Sequence, residues 1–473
     1  METKKYDIII IGAGSGGLNV AGFFSRLLLR VLLIDKKDEN IGGDCLNTGC
    51  VPSKALIHVA NQIHTAQNVG RFCESASENR VDMKKVIDYI HSKQEYIRHD
   101  ENPEYLRNKG IEYMSGSVQF VNENNITLSG TLYTAKHFVL ATGGRARELT
   151  VKNDGSIRQF TNETIFSIDF LPMNFVFIGG GPINCELGQA FSRLGSKVTI
   201  LNSGARILEK ESEEVSSIME GQFIEEGIRV VHGVKIEKIE GGKVWYTAGE
   251  STELQSLECG AVFVGIGRVL NIEGLDLEKA GIQIHENKTK LIVDPYLRTA
   301  NKRVYVVGDV AGNYQFTHTA EMHAKVVIGN MLSPFKKRFS GEEIAWVTYT
   351  TPEVATFGID KKTALALGCE VLHKDFLHED RAIVDENQKG FVDVYVDARG
   401  CIKGGTMVAD GAGELSQELI LAMTAKVPLS QMFKKVYPYP VASRINRQLI
   451  GDYMGRKLTD RTISILRTLY RIL

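Results

Sequence analysis

Apolar residues fall in short unbroken runs along this chain, and the residues after each run show what it is. Tyr6 to Ile11 reads YDIIII, too short for a helix and rich in β-branched residues, which predicts a strand buried on both faces. A glycine cluster follows, then residues at helical spacing, then a second apolar run, VLLID, ending at Asp35. The same succession recurs from Asn174, with NFVFI, a glycine cluster, a helix-like stretch and VTILN ending at Asn202. The two segments align without a gap: Gly12 to Asp35 and Gly179 to Asn202 each span 23 positions, and Phe-Ser-Arg-Leu recurs at 24–27 and 191–194. Two Rossmann-type βαβ units are predicted. Another strand and glycine turn, VYVVGDVAG, runs from Val304 to Gly312. From about Ala345 alternating runs such as GFVDVYVD (Gly390 to Asp397) lie between helical ones, which predicts a separate α+β domain.

In a βαβ unit of this kind the first glycine makes a tight turn, the second lets backbone approach a pyrophosphate, and the third lets helix pack on strand. The first unit has all three, Gly12, Gly14 and Gly17, and Asp35 stands where a carboxylate can accept from ribose hydroxyls. The second keeps Gly179 and Gly181 but has Asn184 in the third place, so helix and strand are expected to sit slightly apart there. Asn202 replaces the acid, and a neutral amide does not repel the 2′-phosphate of NADPH; Arg206 is near enough in sequence to meet it. This favours NADPH and leaves NADH open.

Between the units lies GGDCLNTGCVPSK, with helical periodicity starting near Pro52. Thiolates on a helix's first turn are stabilised by its N-terminal dipole, so Cys45 and Cys50 read as a redox-active pair. The other cysteines, Cys73, Cys185, Cys259, Cys369 and Cys401, have no partner at metal-ligand spacing and read as buried structural residues, so no metal site is expected.

A chain of 473 residues, 43% hydrophobic, can fill several cores, so two to four domains are expected. Its 56 basic and 57 acidic residues nearly cancel, which argues against nucleic acid as a partner and for small-molecule chemistry. Seven cysteines in this length do not make a secreted disulfide scaffold, and with no charged leader before Tyr6 a cytoplasmic protein is expected.

Taken together these motifs resemble the class I pyridine nucleotide-disulfide oxidoreductases. Also shared are the ATG turn at Ala141, Thr142 and Gly143, the VGIGRVLN stretch with Gly267, Arg268 and Asn271, GDVAGNYQFTHTA around Asp309, and TPEVATFG from Thr351 to Gly358. The resemblance implies an α/β fold with two Rossmann-like domains for FAD and NAD(P) and a C-terminal α+β dimerisation domain. FAD binding would fall to 1–150 and 271–344, NAD(P) to 151–270, and dimerisation to 345–473. The implied cofactor residues are Gly12, Gly14, Gly17, Asp35, Gly43, Thr142, Gly143, Asp309 and Ala320, with Gly179, Gly181, Asn202, Arg206 and Gly267. The implied activity takes hydride from the nicotinamide, by way of the flavin, to a Cys45–Cys50 disulfide, with Cys50 beside the flavin and Cys45 meeting a small-molecule or small-protein acceptor. Lys54 and Glu186 would pair near the flavin, His318 would belong to a flavin-side loop, and the enzyme would be a homodimer.

The pattern breaks at VYPYPVASRINRQ, where the family carries His-Pro and a following Glu. Tyr439 precedes Pro440, and Arg444 stands for the acid. A phenol with an ordinary pKa of about 10 is a poor neutral-pH base beside a histidine near 6.5. Three acceptors therefore stay open: a disulfide or thiol-bound substrate, mercury or another soft metal reduced at Cys45 and Cys50, and a quinone or protein served from a membrane surface. The last rests on the tail from Thr459 to Leu473, where Ile463, Leu466, Tyr470 and Leu473 recur at helical spacing against Arg461, Ser464, Arg467 and Arg471. Such a helix either lies on an anionic membrane or packs on its own dimer.

Overall fold

The computed structural model describes residues 3–69, 81–287, 289–312 and 314–473; Cys73 lies outside them. The chain divides into two compact units, Met1–Glu209 with Phe223–Phe339, and Lys210–Gln222 with Ser340–Leu473.

In the first unit, strands β1 (Lys4–Ile11), β2 (Val31–Asp35), β3 (Glu112–Ser115), β4 (Val118–Asn122), β5 (Asn125–Leu128) and β6 (Thr131–Leu140) bond in the order β3-β2-β1-β6-β5-β4. The later strand Val304–Val306 pairs parallel with the end of β6, so the chain returns to its first sheet. Helix α1 (Ser15–Arg26) links β1 to β2 and buries Val20, Ala21 and Phe24. Ile8 to Ile11 are all 4% exposed or less, which explains the unbroken apolar run: both faces of β1 are covered.

A second, fully parallel sheet takes the order Arg229–Val231, Lys197–Leu201, Asn174–Ile178, Ala261–Val264, Arg158–Phe160. The repeat seen in the sequence is a repeat in backbone conformation. Gly12 has φ +110°, and a Cβ there would stand 2.2 Å from the Ala141 carbonyl oxygen; Gly179 has φ +113°, with its Cβ position 2.5 Å from the Gly265 oxygen. In both units the next strand passes where a side chain would be. A short antiparallel ladder, Gly144–Ala146 against Arg268–Leu270, ties the two turns that leave these sheets.

Four more helices shape the site: α2 (Gly43–Asn47), α3 (Cys50–Asn68), α4 (Met83–Arg98) and α5 (Pro103–Asn108). The Asp82 carboxylate caps α4 by accepting from Lys84 N, and the Asn102 side chain caps α5 by accepting from Tyr105 N, with Pro103 at its first position. Helix α3 begins at Cys50, two residues before the periodicity near Pro52 suggested. Gly49 ends the preceding turn, and Pro52 is tolerated because first-turn N–H groups have no helical partner.

The second unit is built on an antiparallel sheet in the order Ala345–Thr348, Glu353–Gly358, Ile402–Ala409, Phe391–Val396, Glu370–Asp375. The segment Lys210–Gln222 is held to it by Glu211, whose carboxylate accepts from Trp346 Nε1 at 2.8 Å and Thr356 Oγ1 at 2.7 Å. The strand predicted in GFVDVYVD is present, and every residue of Phe391–Val396 is buried. Its second face is covered by a small cluster of Ala364, Cys369 and Tyr395, and the buried Asp393 is satisfied by His373 Nδ1 at 2.7 Å and Lys361 Nζ at 2.9 Å.

Candidate functional site

Cys45 sits within α2 and Cys50 opens α3, and both are free thiols. Cys50 Sγ lies 3.4 Å from Thr317 Oγ1. The Cys50 thiol is pulled down to about 6, first by the adjacent Cys45 thiol and then by the Thr317 hydroxyl and the Lys54 ammonium, which together outweigh desolvation. Cys45 moves the opposite way, upward, because of the neighbouring Cys50 and its own partial desolvation. The two thiols are thus driven apart, and the thiolate is favoured at Cys50.

The cysteine helices are fixed from α4. Gln94, 7% exposed, donates both amide hydrogens, to the carbonyls of Leu46 and Asn47 at 2.8 Å each, and Arg98 donates to Asn47 Oδ1 at 2.9 Å. These carbonyls end α2 and would otherwise lack donors. Neither Gln94 nor Thr317 stood out in the sequence. Gln94 is an ordinary polar residue on an amphipathic helix, and Thr317 meets Cys50 only through the fold.

Asp35 lies at the end of β2, where its Oδ2 accepts from Ala13 N at 2.7 Å and its Oδ1 from Asn40 Nδ2 at 2.8 Å. Helix α1 starts at Gly14 with no side-chain cap, so its first N–H groups face outward from the turn. Gly43 closes on that turn, for a Cβ there would be 2.7 Å from Gly14 Cα, and one at Gly17 would be 1.9 Å from the Gly12 oxygen. Asn271 donates to the carbonyls of Gly143 and Thr142, and Arg147 N to that of Gly267 at 3.0 Å. Arg268 reaches the Asp44 carboxylate, donates to the Gly144 carbonyl at 2.8 Å, and lies 3.3 Å from Asp309. Burial nevertheless raises the Asp309 carboxyl, with Arg268 opposing. Ala320 packs its methyl group towards Gly16 and Gly308. Thr142 Oγ1 and Thr319 Oγ1 are buried with no partner among the described residues. An uncapped helix end, glycine backbones in contact and orphaned hydroxyls fit a bound dinucleotide such as FAD.

The sequence-predicted pair is brought together: Lys54 Nζ on α3 lies 2.7 Å from Glu186 Oε2 on α6 (Pro182–Leu194). Gly181 starts α6, again without a side-chain cap. Asn184 is fully buried and spans to the Gly265 carbonyl at 2.7 Å, so the third-glycine position is filled by an amide bridging helix and strand. Asn202 donates to the carbonyls of Gly204 and Arg206 at 3.2 and 2.9 Å, holding the loop that carries Arg206, and its side chain fills the space beside Gly180. Arg206 donates to the Glu209 carbonyl at 3.0 Å. The same unit has a second buried pair: Arg193 grips Glu226 bidentately at 2.7 and 2.9 Å and donates to Asn61.

Tyr439 belongs to the second unit, in a cis peptide with Pro440, exposed and with the Arg444 guanidinium 5.1 Å from its ring centre. Of the remaining cysteines, Cys185 and Cys369 are buried, whereas Cys259 and Cys401 are only half-buried. His318 stacks on Phe316 at 5.3 Å. Among the described residues no helix is long and apolar enough to cross a membrane.

The pattern described as pyridine nucleotide-disulphide oxidoreductase matches residues 6–324, and that of its dimerisation domain matches residues 344–449. The chain belongs to this family, whose enzymes use FAD and NAD(P)H, and is an FAD-dependent disulfide oxidoreductase. Among its relatives are a mercuric reductase of Bacillus cereus, 28% identical over 92% of this chain and 69% of that protein, and a dihydrolipoyl dehydrogenase of Thermus scotoductus, 29% identical over 93% and 95%. Similar solved structures are LpdA of Mycobacterium tuberculosis, with TM-score 0.85 and 22% identity over 97% of this chain and all of that one, and the HOCl-induced flavoprotein disulfide reductase RclA of Escherichia coli, with TM-score 0.81 and 22% identity over 93% and 98%.

Proposed function

We propose that Cys45 and Cys50 are the disulfide through which this enzyme reduces a disulfide or thiol-bound acceptor with electrons from NADPH. The observation that carries the reading is the placement of Cys50 at the first residue of α3, its Sγ 3.4 Å from Thr317 Oγ1, with Cys45 in the helix just before it. FAD, held by Gly12, Gly14, Gly17, Gly43, Asp35, Thr142, Gly143, Asp309 and Ala320, supplies the two-electron relay between nicotinamide and sulfur. The nicotinamide cofactor is assigned to Gly179, Gly181, Asn202, Arg206 and Gly267.

The chain's own residues govern the sulfur chemistry. Two electrons and one proton convert the Cys45–Cys50 disulfide to a Cys50 thiolate and a Cys45 thiol. Cys50 takes the proton from Cys45, which attacks the acceptor disulfide and expels its first sulfur as a thiolate. Cys50 loses that proton and attacks Cys45 Sγ, restoring the internal disulfide and expelling the second thiolate; the departing thiolates collect the proton lost by Cys50 and one from solvent. Lys54, paired with Glu186, keeps positive charge near Cys50 throughout. Tyr439 is assigned to the acceptor side in a homodimer, with residues 345–473 as the dimerisation domain, 1–150 and 271–344 for FAD, and 151–270 for NAD(P).

A second reading, reduction of Hg(II) or another soft metal bound by the two sulfurs, is favoured by the mercuric reductase relatives and by Tyr439 in place of histidine. Anaerobic reduction with NADPH, followed by lipoamide, glutathione disulfide or Hg(II), separates the two. Turnover of a disulfide that is lost in Cys45→Ser supports the first reading, and turnover of Hg(II) alone refutes it.

A further inference from the structure

We propose that the C-terminal helix Asp460–Ile472 is a membrane-contact element that lies in the headgroup region of an anionic bilayer. Thr459 caps it, accepting from Thr462 N, so the helix has a defined start. None of its residues is buried. At roughly 100° per residue, Ile465, Leu466, Leu469, Tyr470, Ile472 and Leu473 gather on one half of the circumference, while Arg461, Arg467 and Arg471 share the other half with Ser464 and Thr468. The apolar half is open to solvent: Leu466 is 51% exposed, Tyr470 86% and Ile472 75%.

The charge pattern selects the occupant. From Lys457 to the end the chain carries Lys457 and three arginines against one acidic side chain, Asp460, in a protein of net charge −1. The three arginines make no ion pair among the described residues, so their charge is available to lipid phosphate. A second copy of the helix would cover the apolar half but leave the three arginines unanswered, whereas an anionic headgroup layer meets both halves. The dimerisation-domain match, moreover, ends at residue 449, before this helix. A helix of 13 residues is too short to span a bilayer, and with one apolar half and one cationic half it would lie in the interface.

The test is flotation of the FAD-loaded full chain with vesicles of phosphatidylcholine alone and of equal parts phosphatidylcholine and phosphatidylglycerol, beside a chain ending at Leu458, an R461Q/R467Q/R471Q variant and an L466S/L469S variant. The full chain is expected to float with the anionic vesicles and not the neutral ones, and to dissociate at high salt. The arginine variant should lose roughly tenfold or more in partitioning, and the other two should stay in solution. Failure of the full chain to float, or equal flotation of the truncated or arginine variants, overturns the inference. So does a dimer that becomes monomer on truncation without vesicle binding, since a second copy would then cover the face. Flotation is read without turnover, so failure of the disulfide reading leaves this result intact.

Discussion

The ammonium of Lys54 lies 2.7 Å from a Glu186 carboxylate that is 6% exposed, joining the helix that starts with Cys50 to the helix that follows the second glycine turn. Losing Lys54 strands a buried negative charge. Because Lys54 itself keeps 35% exposure, water screens part of the loss, and Lys54→Met is expected to cost about 1–3 kcal/mol rather than the 3–5 of a fully buried pair. Urea unfolding of Lys54→Met, Glu186→Gln and the double variant should show a coupling of about 1 kcal/mol. Strict additivity would mean that the contact contributes nothing.

A thiol at about 6 should react with iodoacetamide at pH values where ordinary cysteines are silent. In the reduced protein the alkylation rate of Cys50 is expected to rise through a midpoint near 6, and in Lys54→Met or Thr317→Val the midpoint should move upward. A profile centred above 8 would remove the thiolate from the proposed chemistry.

The Arg193–Glu226 pair is buried on both sides, at 5% and 7% exposure, and Gln189 also donates to the carboxylate. Arg193→Met is expected to cost about 3–5 kcal/mol, and a double replacement by apolar residues much less, because no charge is then left alone. Denaturant midpoints of the two variants decide it; equal losses would show that packing, not charge, is at stake.

His323 is fully buried, accepts from Gly308 N through Nδ1, and is driven down to about 4 by burial. The unfolded chain takes up a proton at this residue below about 6.5 and the folded chain does not until about 4, so stability contributed by the neutral ring is complete above 6.5 and is lost across that window. Acidification from pH 6.5 to 4 should therefore cost the native protein up to about 3 kcal/mol more than His323→Asn. Parallel stability curves in urea would refute the assignment.

Arg206 stands on a loop that Asn202 fixes through two backbone carbonyls. If it meets a 2′-phosphate, Arg206→Ala should raise the KM for NADPH about tenfold and leave NADH unchanged. An equal effect on both cofactors would assign Arg206 to loop structure alone.

Much of this could be read in the sequence because glycine turns constrain local backbone. Gly12 and Gly179 are required where the next strand's carbonyl passes, and that requirement shows as spacing. Lys54 and Glu186 carry no such mark, and their pairing was expected only through family resemblance. Gln94 and Thr317 were missed because their value lies in partners far along the chain: Gln94 serves carbonyls 47 and 48 positions away, and Thr317 a sulfur 267 positions away. At Phe391–Val396 the sequence marks the strand but not the burial of Asp393, which depends on Lys361 and His373 meeting it from elsewhere in the chain.

Cys45 and Cys50 belong to different helices, with Thr48 and Gly49 between them outside both. In the proposed cycle the sulfurs must come to bonding distance and part again. Had both been on one continuous helix, that stroke would bend its hydrogen-bond ladder every time. Here the displacement can be taken up by the Thr48–Gly49 joint, while the 19-residue helix that begins at Cys50 keeps Lys54 in register. The cycle's moving part is thus short and sits next to an element that need not move.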